Sequence, residues 1–290
     1  MKAVFIIVGI IIFIAALAIA RCIYELHCLV VTKYLISSDK IPPKDSIRMI
    51  FISDLHCRTY GDDGKRLPDM IRQQKPDCIL IGGDIFVCKS PEKDERAMEF
   101  LKTISSIAPV YMAPGNHEKG IECIGKFKER CAGLKEEISS AQIRYLNNES
   151  IALNEHIVVA GLDADYRYYK KFGRIKPSPE TLESYVGKAD KKIYNILLAH
   201  NPAWYDICSD LGYDLTLSGH YHGGAIRLPL VGGVVSPQFK LFPKYSKGIF
   251  KKQGSTLIVS GGCGSHTVNI RIFNKPEILL IEIKGTRDKD

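Results

Sequence analysis

The sequence predicts an α/β protein built on two packed β-sheets, preceded by one membrane-spanning helix. Three observations predict it. Short apolar runs bounded by Gly, Pro or Asp recur along the chain. Helical patterns separate several of these runs at first, whereas the later part is mainly strands, an order that suggests two sheets packed in an α/β sandwich. Ahead of them, residues 3–20 form eighteen uncharged, almost wholly apolar positions between Lys2 and Arg21.

That first segment is close to the length needed to cross a bilayer as a helix. It also fits a cleavable signal peptide, because Ala18-Ile19-Ala20 has a small-x-small pattern and Lys2 supplies a positive n-region. The unbroken apolar length favours an anchor, residues 3–20, in a single-pass protein of the cell membrane. Lys2 lies on one flank and Arg21 and Lys33 on the other, so the side facing the folded domain stays open. Residues 21–45 are expected to be a connector whose Ile23, Leu26, Leu29, Val30 and Tyr34 lie along the interface, ending at Pro42-Pro43. The folded domain is expected over residues 46–286.

Within that domain, strands are expected at 48–53, 78–82, 110–113, 156–161, 193–199, 215–218, 256–259 and 278–283. Helices are expected at 65–74, at 91–107 with Ala97, Phe100, Leu101 and Ile104 on one face, and at 120–139 with Ile121, Ile124, Phe127 and Leu134. Residues 166–176 combine three Tyr with Lys170, Lys171, Arg174 and Lys176 and read as an exposed basic-aromatic loop. Trp204-Tyr205 reads as packing rather than as a substrate mouth.

Composition narrows the chemistry. The chain has 290 residues, 46% hydrophobic and 25% charged, enough to bury a sizeable core. Its 40 Lys and Arg against 32 Asp and Glu give +8, which favours phosphorylated, lipid-headgroup or nucleic-acid partners. Nine Cys, an odd number without a CxxC pair, suggest neither a disulfide framework nor a Cys-based zinc site. They read as small core residues, except that Cys57 directly follows a candidate ligand, where a thiol is expected to make the site sensitive to oxidation.

The main functional signal is one of position. Asp54-Leu55-His56, Gly83-Asp84, Gly115-Asn116-His117, His200-Asn201-Pro202 and Gly219-His220-Tyr221-His222 each follow an apolar run. Five strand ends thus bring carboxylates, imidazoles and one amide to the sheet edge at which open α/β folds bind ligands. A single Asp-x-His or His-x-His is weak evidence of a metal; five such clusters in register with strand ends are strong evidence. Mixed carboxylate and imidazole donors suit Mn, Fe, Zn or Co rather than Ca. A carboxylate can bridge two ions about 3.5–4 Å apart, and Asp84, alone after its glycines, is the candidate bridge.

These blocks resemble the ordered motifs of the calcineurin-like metallophosphoesterases, D-x-H, G-D, G-N-H-[DE], H and G-H-x-H. They stand here as Asp54-His56, Gly83-Asp84, Gly115-Asn116-His117-Glu118, His200 and Gly219-His220-Tyr221-His222. More narrowly, Leu198-Ala199-His200-Asn201-Pro202, the stretch Ser218 to Gly224 and Arg227-Leu228-Pro229 look like the bacterial membrane-associated branch related to UDP-2,3-diacylglucosamine pyrophosphatases. The resemblance implies a four-layer α/β/β/α sandwich of two mixed sheets. It implies one metal on Asp54, His56, Asp84 and His222 and a second on Asp84, Asn116, His200 and His220, with Mn, Fe or Zn the expected ions. His117 would be the catalytic imidazole that is not a ligand. The chain departs from the family pattern at Val87-Cys88, where Asp or Asn is common. His27 and His156 fall outside the blocks and read as structural, as does His266 in its Gly-rich turn.

The expected activity is hydrolysis of a phosphodiester or pyrophosphate bond by attack of metal-bound hydroxide, on a phosphate-ester substrate that the anchor biases towards a lipid-linked one. Two alternatives compete with it. One is a non-catalytic, metal-stabilised membrane module, against which the intact His117 argues. The other is a nuclease, for which the sequence offers no long basic stripe with interleaved aromatics.

Overall fold

The computed structural model describes residues 1–170, 175–224, 226–228, 231–235, 241–265 and 269–286. In chain order the elements are α1 (Lys2–His27), β1 (Val30–Ser38), β2 (Ser46–Ile52), α2 (Arg66–Gln73), β3 (Cys78–Ile81), α3 (Asp94–Ser105) and β4 (Val110–Met112). They continue with α4 (Asn116–Cys123), α5 (Lys128–Ser140), β5 (Arg144–Tyr145), β6 (Glu149–Ala152), β7 (Ile157–Gly161), α6 (Pro179–Val186), β8 (Tyr194–Leu198) and α7 (Tyr205–Asp210). The last are β9 (Leu215–Ser218), β10 (Arg227–Leu228), β11 (Gly232–Gly233), β12 (Gly248–Lys252), β13 (Ser255–Val259) and β14 (Glu277–Gly285).

Two mixed six-stranded sheets result, in the orders β1-β14-β2-β3-β4-β5 and β12-β13-β9-β8-β7-β6, with β10 and β11 as a separate ribbon. Strands β2 to β5 run parallel, as do β7, β8, β9 and β13. Side chains alternate across each strand, so β2 serves two cores at once. Met49 and Phe51 meet Leu80, Ile196, Leu198, Leu217 and Ile258 between the sheets. Ile50 and Ile52 point the other way, onto Leu67 and Ile71 of α2 and Leu101 and Ile104 of α3. On the far face of the second sheet, Leu197 and Ala160 pack under Leu182 of α6 and Cys208 of α7. These contacts make the four layers α/β/β/α.

Local chemistry explains several boundaries. Ser178 caps α6 by accepting the Thr181 N–H at 3.2 Å, with Pro179 preset for the first turn. The single helix expected over 120–139 is instead α4 and α5, separated at Ile124, whose backbone is extended just before Gly125.

The N-terminal part differs from expectation. The apolar helix runs on to His27, a length of about 39 Å at the usual rise, and none of its most apolar stretch is buried. The expected connector 21–45 is folded: Val30–Ser38 pair in parallel with Glu277–Gly285 as the edge of the first sheet. The periodicity of this strand is weak because, being an edge, it buries none of its side chains fully.

Candidate metal centre

Strands β2, β3 and β4 of one sheet and β8 and β9 of the other all end at one place. The loops leaving them carry Asp54 and His56, Asp84, Asn116 and His117, His200, and His220 and His222. The structure brings all eight together. His200 Nε2 lies 3.3 Å from Asp84 Oδ2 and 3.9 Å from Asp54 Oδ1. His222 Nε2 lies 3.5 Å from Asp54 Oδ1 and 3.2 Å from His56 Nε2, and His56 Nε2 is 3.9 Å from Asp84 Oδ2.

Donor atoms of Asp54, His56 and His222 form one group within 4.8 Å of one another, and those of Asp84, His200 and His220 form another. His56, Asp84 and His117 make a third, so Asp84 belongs to two of the three groups. The Asn116 amide completes the second. Its carboxamide group lies 2.7 Å from His220 Nδ1 and 3.3 Å from both His200 Nε2 and Asp84 Oδ2. Carboxylate, imidazole and carboxamide groups gathered this closely are the mixed donor set that divalent ions such as Mn, Fe and Zn take, so the residues present fit such ions.

Backbone geometry adds a second indication. Asp54, His56, Asp84, His220 and His222 all have positive φ, between 49° and 66°. That conformation costs a non-glycine residue of order 1–3 kcal/mol and persists where the surroundings impose it, often at functional sites. The loops pack so closely that a Cβ on Gly219 would lie 2.2 Å from Asp54 Oδ2, and one on Gly115 2.2 Å from Asp84 Oδ1.

Main-chain hydrogen bonds orient the donors. His200 Nδ1 pairs with the Gly82 carbonyl at 2.7 Å, which assigns the proton to Nδ1 and leaves Nε2 for the site. Both Asp54 oxygens accept the His220 N–H, and Asp84 Oδ1 accepts the His117 N–H at 2.8 Å. His117 Nδ1 accepts the Cys88 N–H at 2.9 Å, so a neutral ring carries its proton on Nε2, which lies 4.0 Å from Asp84 Oδ2. The position that departs from the family pattern thus serves the site through its main chain.

Burial favours a neutral carboxyl on Asp84, yet the imidazoles of His200, His117 and His56 hold it well below the usual range. Burial, with the Arg271 charge behind it, pushes His222 down, and burial followed by the His200 charge pushes His220 well down, so both rings are neutral donors. His200 behaves oppositely: burial lowers it, but Asp84 and then Asp54 raise it to about 9. Exposure marks the mouth. The His200 and Asp54 side chains are 0% exposed, whereas His117 and His222 keep 11% and 14%.

Several residues that sequence reasoning left without a role support the centre. Both Glu118 oxygens are used: they accept the N–H groups of Asp84, Ile85, Phe86 and Gly115, tying the β3 and β4 loops together. Arg271, 2% exposed, donates to the carbonyls of Gly261, Gly262 and Gly264, and the Gly264 N–H donates to the Asp54 carbonyl. Its only sequence signal is a charge among apolar neighbours in Asn269-Ile270-Arg271-Ile272-Phe273.

Two other expectations are corrected. Burial pushes the Cys57 thiol up to about 12, so it is a protonated core residue and not an oxidation-sensitive one. Tyr168 and Tyr169 are buried on Leu182 and Trp204, so the aromatic half of the expected exposed loop is core, and Lys171 and Arg174 lie outside the described residues. Trp204 packs in the same cluster. His27 closes the last turn of α1 on the Ile23 carbonyl, and His156 lies in a turn with Asn154. His266 and Pro229 lie outside the described residues.

A four-layer sandwich with carboxylate, imidazole and amide donors at the strand ends defines a metal-dependent phosphoric ester hydrolase. The chain belongs to the calcineurin-like phosphoesterase family, whose model matches residues 47–224 and so takes in all eight site residues. It is 26% identical over 266 residues to the uncharacterized metallophosphoesterase YkuE of Bacillus subtilis, covering 90% of this chain and 88% of that one. It is 27% identical over 242 residues to the phosphodiesterase YaeI of Escherichia coli, covering 81% and 82%. It is 25% identical over 284 residues to the UDP-2,3-diacylglucosamine pyrophosphatase LpxG of Chlamydia trachomatis, covering 81% and 83%.

Proposed function

We propose that this chain hydrolyses a phosphodiester or pyrophosphate bond of a lipid-linked substrate, with α1 as a membrane anchor and residues 30–286 as the catalytic domain. The observation that carries the hydrolytic reading is the convergence of three donor groups in one place, Asp84 belonging to two of them, with the partly exposed His117 Nε2 4.0 Å from Asp84 Oδ2. In this reading Asp54, His56, Asp84 and His222 hold one ion, and Asp84, Asn116, His200 and His220 hold the other, Asp84 bridging. Two divalent ions so held would lower the pKa of a water and neutralise the phosphoryl oxygens.

The remaining steps belong to the chain's own residues. Asp84 and Asp54 are fixed by main-chain N–H groups and cannot swing as charge moves. His117 is held through Nδ1 by Cys88, so its Nε2–H points to the mouth. There it stabilises the transferring phosphoryl group and gives its proton to the departing oxygen. A merely structural metal module would have no use for a donor so placed.

The lipid-linked reading rests on three supports: the exposed apolar length of α1, the placement of its last turn against the His222 loop, and the LpxG relative, named for a diacylated substrate. The net charge of +8 suits an anionic phosphate substrate.

The test uses the full chain in detergent, because a domain begun at Ser46 would lack β1. Metal-stripped protein is reloaded with Mn, Zn or Mg and assayed on bis-p-nitrophenyl phosphate, then on a UDP-linked diacylated sugar against its deacylated counterpart. Metal-dependent turnover that prefers the acylated compound is expected. Turnover without that preference would remove the lipid reading and keep the hydrolase, and no turnover on protein holding two ions would overturn both.

A further inference from the structure

The helix α1 does not end as a loose tether; its last turn is seated on the loops of the metal centre. Glu25 is the only buried residue of its 26 positions. A carboxylate removed from water is costly unless every oxygen is partnered. Here Oε1 accepts Arg21 Nε at 2.7 Å and Oε2 accepts the main-chain N–H of Asn274 at 2.5 Å. Asn274, 1% exposed, then turns its amide nitrogen onto the carbonyls of His222, at 2.6 Å, and Gly224, at 2.8 Å.

The opposite side of the turn is held as well. The last carbonyls of a helix lack partners within it. In α1 the Leu26 carbonyl accepts Arg58 Nη2 at 2.6 Å and the His27 carbonyl accepts Arg66 Nη1 at 3.2 Å. Arg58 stands two residues beyond His56. The His222 main chain, through Asn274, and the segment two residues beyond His56, through Arg58, are thus tied to the same helix end.

We propose that the last turn of α1 is a working part of the metal centre: Glu25, acting through Asn274, is a positioning residue for His222. This rests on the reading of His222 as a ligand. Docking of α1 then governs how tightly the Asp54-His56-His222 side of the centre holds its ion, and losing that contact costs metal as well as location. Partners of this kind, one shell beyond the ligands, typically change metal affinity 10–100-fold when removed.

The experiment uses the full chain in detergent micelles, stripped of metal and titrated with Mn²⁺ or Zn²⁺ against a chromophoric chelator, for Glu25→Ala, Glu25→Gln, Asn274→Ala and His222→Ala. Glu25→Ala and Asn274→Ala are expected to weaken one of two ions about tenfold and leave the other unchanged. Glu25→Gln, whose amide oxygen still accepts from Asn274, should retain most of the affinity. Excess metal should restore kcat in the weakened variants, which a general folding defect would not allow. If Glu25→Ala does not fold, Asn274→Ala decides alone, since it leaves the Glu25 hydrogen bonds in place. Wild-type affinity for both ions in Glu25→Ala and Asn274→Ala, with one ion lost in His222→Ala, overturns the relay. Two ions retained in His222→Ala overturns the ligand reading beneath it.

Discussion

Both carboxylate oxygens of Asp54 accept the main-chain N–H of His220, at 3.0 and 3.1 Å. The two residues follow β2 of one sheet and β9 of the other, so a single carboxylate spans the seam between the sheets. A substitution at the centre therefore acts on metal binding and on sheet packing together.

Asp84 is the test of bridging. Asp84→Ala is expected to lose both ions, measured as metal per folded chain by elemental analysis, and with them turnover. Two ions retained on a folded Asp84→Ala chain would sink the assignment.

His117 separates catalysis from binding. His117→Ala should keep two ions and lower kcat by roughly 10²–10⁴-fold, the usual scale for a lost proton donor. Steady-state kinetics beside metal content checks this, and an unchanged kcat excludes the role.

Metal uptake should depend on pH through His200. With its pKa raised from 6.5 to about 9 without an ion, the ring is protonated at neutral pH, and a metal must displace that proton. Affinity is then expected to fall about tenfold per pH unit below pH 9, with one proton released, read by calorimetry in buffers of different ionisation enthalpy. The sign for stability is opposite. A raised imidazole pKa stabilises the stripped fold fully below pH 6.5, and this contribution fades as pH rises through about 9. Uptake independent of pH between 7 and 9 would contradict this.

Arg271 tests the loop behind Asp54. Arg271→Lys cannot reach the three glycine carbonyls together and leaves buried acceptors without donors, at a cost of about 3 kcal/mol. Denaturant titration of the metal-free protein should show a lowered midpoint.

The centre was far more legible than its supports. Asp54, His56, Asp84, Asn116, His117, His200, His220 and His222 each follow an apolar run, and a ligand-bearing loop must leave a strand end, so position and residue type pointed the same way. Glu25, Arg271 and Asn274 carry no such signal, because their partners are main-chain atoms far along the chain. Strand β1 was hidden for a related reason: an edge strand against β14 needs hydrogen bonds more than it needs alternation. The break at Ile124 was masked by an apolar spacing that continues across two helices.

The place of β14 sets a schedule. It lies between β1 and β2, strands that begin at residues 30 and 46, while β14 itself begins at residue 277. A ribosome that has synthesised every proposed ligand through His222 has not yet made Arg271, Asn274 or the strand that joins β1 to β2. Such long-range pairing is slow to form and exposes open sheet edges while it waits. Competence to hold metal should therefore arrive abruptly, only once β14 has been made, and until then the partly made chain carries open sheet edges on β1 and β2.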